Sequence, residues 1–109
     1  MIDIDYLNQL LDLKVKLRVK TNFLEEPSEW VEWITVPSPG YLEIPRVGPF
    51  KMSDLEWIEV DPIEVKKIGR LVKPKLLDHT ASVRNIMESN GIQSNLTGSY
   101  FRIENSSIG

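Results

Sequence analysis

The amino-acid sequence predicts an α+β fold: a mostly antiparallel sheet of about five to six strands, with an N-terminal and a C-terminal helix packed on it. Three observations carry this reading. Leu13–Lys20 alternates apolar and basic residues without a break. Short runs rich in β-branched and aromatic residues follow, each bounded by proline or glycine. The links between these runs are too short for helical crossovers, so adjacent strands must turn back on each other.

The elements follow in order. Ile2 to Leu11 reads as a short helix, because Ile4, Leu7, Leu10 and Leu11 recur at helical spacing and Asp3 and Asp5 sit near its positive end. Leu13–Lys20 is the clearest strand, with Leu13, Val15, Leu17 and Val19 on one face and Lys14, Lys16, Arg18 and Lys20 on the other. Trp30–Val36 is a second strand candidate, followed by a turn at Pro37-Ser38-Pro39-Gly40. Tyr41–Ile44 is a third, stopped by Pro45, and Gly48-Pro49 reads as a further break. Leu55–Val60 is a fourth, stopped by Pro62. Ile63–Lys73 is a fifth, in which Gly69 suggests a bulge. Asp78 reads as an N-cap for a helix through Ala81, Val83, Ile86 and Met87, closed at Asn90-Gly91. Tyr100–Ile103 is the last strand. The expected organisation is a single domain over residues 1–104, with 105–109 a frayed tail.

Composition narrows the function classes. Apolar content of 41% and charged content of 27% fit a globular chain and exclude a disordered one. With no cysteine among its 109 residues, the chain has no disulfide, thiol nucleophile or thiolate metal site. The N-terminal residues lack a basic stretch before the apolar ones, and no apolar run approaches the ~18 residues of a membrane span. The expectation is a cytoplasmic location and no membrane partner.

The net charge of −3 is unevenly spread. Leu13–Lys20 holds four bases and no acid, and Val65–Lys75 holds five bases and no acid. Between them, Thr21–Glu64 holds ten acids against two bases. Trp30, Trp33 and Trp57 lie inside this acidic block.

No motif names a reaction. His79 stands next to Asp78 and three residues before Ser82, but side chains so close in one helical turn cannot bracket an imidazole as a hydrolytic triad does. Glu59 and Asp61 share a strand face, and paired carboxylates suit acid–base work or a divalent ion. A metal-dependent hydrolase built on them is one alternative. No phosphate-binding glycine loop is present. The first alternative, ahead of that hydrolase, is a nucleic-acid module using Lys14, Lys16, Arg18, Lys20, Lys66, Lys67 and Arg70. The carboxylates around the tryptophans would repel a polyanion, so nucleic acid is not the expected partner.

The favoured reading is a non-catalytic domain that binds a basic protein. Glu29, Trp30, Glu32, Trp33, Glu56, Glu59 and Asp61 form the candidate contact set: carboxylates steer a basic surface in and aromatics anchor it. In this profile the chain resembles, in type, small bacterial or phage proteins that bind and block another protein, toxin-immunity proteins among them. Neither a metal nor a cofactor is expected, and homodimerisation is an open option. Trp57, outside the contact set, is expected to be buried and structural, with Glu59 and Asp61 exposed at a strand end.

Overall fold

The computed structural model describes residues 5–105. Helix α1 (Asp5–Asp12) leads into strand β1 (Lys16–Thr21). A hairpin of β2 (Tyr41–Ile44) and β3 (Gly48–Lys51) follows, then a single 3₁₀ turn and β4 (Leu55–Asp61). Next come β5 (Ile63–Lys66), β6 (Lys75–Asp78), α2 (Thr80–Ser89), β7 (Asn95–Thr97) and β8 (Tyr100–Glu104). The predicted α+β class holds, with two helices and antiparallel pairing. The strands form three sheets in place of one: β1-β4-β8-β7, and the separate hairpins β2–β3 and β5–β6.

The four-stranded sheet has an apolar and a polar face. Val15, Leu17 and Val19 point inward, as their alternation predicts, beside Ile58 and Val60 of β4 and Phe101 and Ile103 of β8. Tyr6, Leu7 and Leu10 of α1 and Val83 and Met87 of α2 belong to the same buried cluster. Leu42, Ile44 and Phe50 of the β2–β3 hairpin complete it. The predicted start of α1 at Ile2–Ile4 and the tail at 106–109 lie outside the described residues.

Several elements depart from expectation. Trp30–Val36 is not a strand: it touches its neighbours through isolated bridges, Leu17 to Val31 and Thr35 to Glu43. Val31 and Ile34 are its buried residues, a spacing of three that no strand alternation supplies. None of the three tryptophans is in the buried core. Gly48-Pro49, read as a break, opens β3; Gly48 takes φ of 80°, a left-handed conformation that glycine adopts without strain. The long fifth strand is a hairpin in which only Ile63–Lys66 and Lys75–Asp78 pair. Asp78 ends β6, and its carboxylate accepts from the Thr80 backbone N–H, so it caps α2 from one position further out than predicted.

Register in β4 also differs from the simple alternation. Lys20 opposes Trp57 and Thr21 opposes Leu55, leaving Glu56 as the extra residue of a β-bulge. The bulge turns Leu55 inward with Ile58 and Val60, and Glu56 outward. Leu55 and Trp57 therefore do not share a face.

Tyr6 is fully buried, and its hydroxyl has no hydrogen-bond partner among the described residues. Tyr6→Phe should raise stability by about 1 kcal/mol, read from urea unfolding, because it removes an unpaired polar group and keeps the ring. Burial also pushes the Tyr6 hydroxyl up from 10.0 to about 12. Below pH 10 the ring is neutral in folded and unfolded chains; between 10 and about 12 the unfolded chain loses its proton first. Stability falls as pH rises through that window, and Tyr6→Phe should remove this part of the loss. An alkaline slope unchanged by the substitution would refute the account.

Candidate functional site

The polar face of the sheet gathers the charged and aromatic residues. Inward apolar residues at Leu17, Ile58, Val60, Phe101 and Ile103 force their strand neighbours outward. Arg18 of β1, Glu59 of β4 and Arg102 of β8 then stand in one row, because Arg18 opposes Glu59 and Glu59 opposes Arg102. Each guanidinium takes one carboxylate oxygen. Arg18 Nε donates to Glu59 Oε1 at 2.8 Å, and Arg102 Nε and Nη2 donate to Oε2 at 3.1 and 3.0 Å. Arg18 Nη2 lies 2.7 Å from Oε1.

Aromatic rings cover this ionic row. The segment before Val31 runs along the free edge of β1, held by Ser28 N–H to Val19 O and by reciprocal bonds between Val31 and Leu17. Val31 faces the core with Leu17, so Trp30 faces outward beside Arg18. The Arg18 guanidinium lies 4.5 Å from the Trp30 ring centre and 5.3 Å from that of Tyr100. Arg102 lies 4.3 Å from the Trp57 ring centre. Trp30 and Tyr100 touch in a tilted pair with centroids 4.8 Å apart. Under this cover the Glu59 side chain is only 2% exposed.

The expectation for Glu59 is therefore overturned. In place of an exposed carboxylate near a strand end, Glu59 is a buried one held between two arginines. Trp57, read as buried, is half-buried and covers Arg102. Both Glu59 oxygens are occupied. Asp61 is half-buried, and its Oδ1 accepts from the Ile63 backbone N–H at 3.0 Å. Among the described residues, no group of three or more histidine or carboxylate side chains is placed to hold a metal ion.

The other candidates divide between this row and the outer rim. Glu56 is exposed and pairs with Lys20 Nζ at 2.8 Å. Glu29 pairs with Arg46, and both are largely exposed. Glu32 is exposed, with Lys16 Nζ 4.0 Å away, and Trp33 is 46% exposed. Sequence reasoning missed Tyr100 and Arg102 as site residues. Their alternation with buried Phe101 and Ile103 marks them as outward-facing, but only the β4–β8 register brings Arg102 to Glu59. The basic residues proposed for nucleic acid are split. Arg18 and Lys20 are tied to carboxylates, while Lys14, Lys16 and Lys67 line one groove together with Glu32 and Glu64. His79 pairs with Glu64 at 2.9 Å, and Asp78 bonds Thr80, so no triad forms.

Fold and site together define a small α+β domain whose central strand carries a buried, doubly bridged carboxylate under an aromatic cover. The chain belongs to a family of unknown function, DUF6678, whose pattern matches residues 5–105. No curated protein and no solved structure matches it.

Removing one partner from a buried ion pair strands the other charge, at a cost of about 3–5 kcal/mol. Glu59→Ala should therefore lose stability on that scale. Glu56→Ala, which removes an exposed pair, should lose less than about 1 kcal/mol. The triple replacement Arg18→Met, Glu59→Leu and Arg102→Met should recover most of the loss, because no uncompensated charge is left. Chemical unfolding of the four proteins measures this, and a harmless Glu59→Ala would refute it.

Proposed function

We propose that this chain is a non-catalytic protein-binding domain that neutralises a basic partner, as an immunity or inhibitor protein occludes the cleft of a nuclease toxin. One observation carries the reading: Glu25, Glu26, Glu29, Glu32 and Trp33 are all exposed on the single segment that borders β1. Glu25 and Glu26 have no ion pair among the described residues, whereas Arg46 pairs with Glu29, and Lys14, Lys16 and Lys67 line a groove with Glu32. The segment is anchored by Ser28 and Val31 to β1, so its acids and Trp33 are presented on a fixed frame.

In this reading the carboxylates raise the association rate and reject acidic surfaces, while Trp33 supplies the apolar anchor. Glu59 and Trp30 support the frame and do not meet the partner directly. Glu56 and Asp61 extend the acidic rim. The domain needs no cofactor for this role.

The test is capture of the partner from the native host, followed by titration of the purified pair. Trp33→Ala should weaken binding by about 30-fold, the scale of a single aromatic anchor. Glu25→Lys with Glu32→Lys should slow association and reduce its dependence on salt. An acidic partner, or a basic one indifferent to all three substitutions, would overturn the proposal.

A further inference from the structure

The β5–β6 hairpin takes no part in the site described above. Neither strand pairs with another strand of the described residues, and an eight-residue loop, 67–74, joins them. Of the ten large apolar side chains exposed among the described residues, five lie here: Val65, Ile68, Leu71, Val72 and Leu76. Leu71 is 100% exposed, and Ile68 and Val72 are each 60% exposed. Lys66, Lys67, Arg70, Lys73 and Lys75 are interspersed with them, and no acid occurs from Val65 to Leu77. None of these five cations is ion-paired among the described residues.

We infer that this hairpin is a peripheral membrane arm that seats its apolar tip in an anionic lipid bilayer. Two features favour lipid over a protein groove or a nucleic acid. Val65 opposes Leu76 on one hairpin face and Lys66 opposes Lys75 on the other, and all four are exposed. A protein groove covers one face of a hairpin, whereas a bilayer surrounds a tip on every side. A nucleic acid would take the cations but leave Ile68, Leu71 and Val72 in water. Anionic headgroups take both classes at once: apolar side chains enter the headgroup–acyl boundary, roughly 5–10 Å deep, and lysines and arginines stay at the phosphates. Lys66 directly opposite Lys75 is a repulsive pair on the isolated domain, and an anionic surface relieves it. The lack of a spanning helix among the described residues does not bear on a tip that lies in the interface.

The two ends of the arm are tied to each other at its base. His79 N–H donates to Pro62 O at 2.8 Å, and the His79 ring pairs with Glu64. The arm therefore has a defined root, and because Ile68 and Leu71 are exposed, tip substitutions should leave the core intact.

Vesicle flotation tests this with the full chain and two lipid compositions, phosphatidylcholine alone and phosphatidylcholine mixed with phosphatidylglycerol. The wild-type chain should float with the anionic vesicles and bind the neutral ones at least about 10-fold more weakly. Ile68→Ser with Leu71→Ser should reduce anionic binding at least about 100-fold at unchanged melting temperature, since two inserted side chains are lost. Lys66→Glu with Lys73→Glu should abolish it, and inorganic phosphate should not compete. Absence of wild-type flotation, or flotation indifferent to the apolar changes, overturns the inference. So does concentration-dependent dimerisation in sedimentation that the same variants abolish, which would assign the arm to a second copy of the chain.

Discussion

The burial of Glu59 constrains the rest of the sheet. β4 lies between β1 and β8, its inward residues build the core, and its one buried carboxylate is bridged to both neighbours. A buried carboxylate is costly unless its lone pairs are filled, and two guanidiniums fill them from opposite sides. That demand specifies register. A slip of one residue would set Glu59 against Leu17 or Val19, and against Phe101 or Ile103, turning every apolar side chain outward. A slip of two against β1 would offer Lys16 or Lys20, which lack the planar fork that engages a carboxylate. The aromatic cover shields the Glu59 carboxylate from water, and so strengthens its pairing.

Around this stiff centre the accessible charges are sorted by element. Acids concentrate on the segment that closes the free edge of β1, and cations concentrate on a hairpin that leaves the body at Pro62 and returns at His79. The two surfaces differ in chemistry as well as sign. The acidic segment shows a tryptophan on an anchored backbone, suited to a shaped protein surface. The basic hairpin shows aliphatic side chains on all sides of a tip, suited to a partner without a fixed shape. Protein binding and lipid binding are thus separate proposals on separate parts of one frame. Edge protection is a further consequence of the acidic segment: it covers the free edge of β1, which would otherwise offer unpaired backbone groups to another chain.

The legible parts of the chain are those in which one local rule acts alone. Tyr41–Ile44 is a strand because four residues alternate between a turn and a proline, and it is found with those bounds. The inward set Val15, Leu17 and Val19 follows from period two, and Gly91, with φ of 68°, closes α2 as a helix-ending glycine does. Local rules failed where a tertiary contact competed. Trp30–Val36 has strand-like residues, yet the segment spends its backbone bonds on single bridges to β1 and β2. Asn95–Thr97 is too short and polar to read as a strand, and exists because Asn95, Leu96 and Thr97 pair with β8. The run from Ile63 to Lys73 kept its apolar content beyond the last paired residue, because the tip is exposed and no core demands alternation there.

Sequence by itself determined the α+β class, the two helices, the inward face of β1, and the uneven distribution of charge. Each follows from periodicity or composition, which involve only neighbours along the chain. Tertiary structure alone decided what Glu59 is. In the sequence it is one of ten acids in a block that reads as a solvated face. In the fold it lies 41 residues from Arg18 and 43 from Arg102, and meets both. Two strand registers are needed to bring those groups within hydrogen-bond reach. Such alignments depend on long-range pairing, which no local pattern encodes, and they convert a surface-like carboxylate into the buried tie of the sheet.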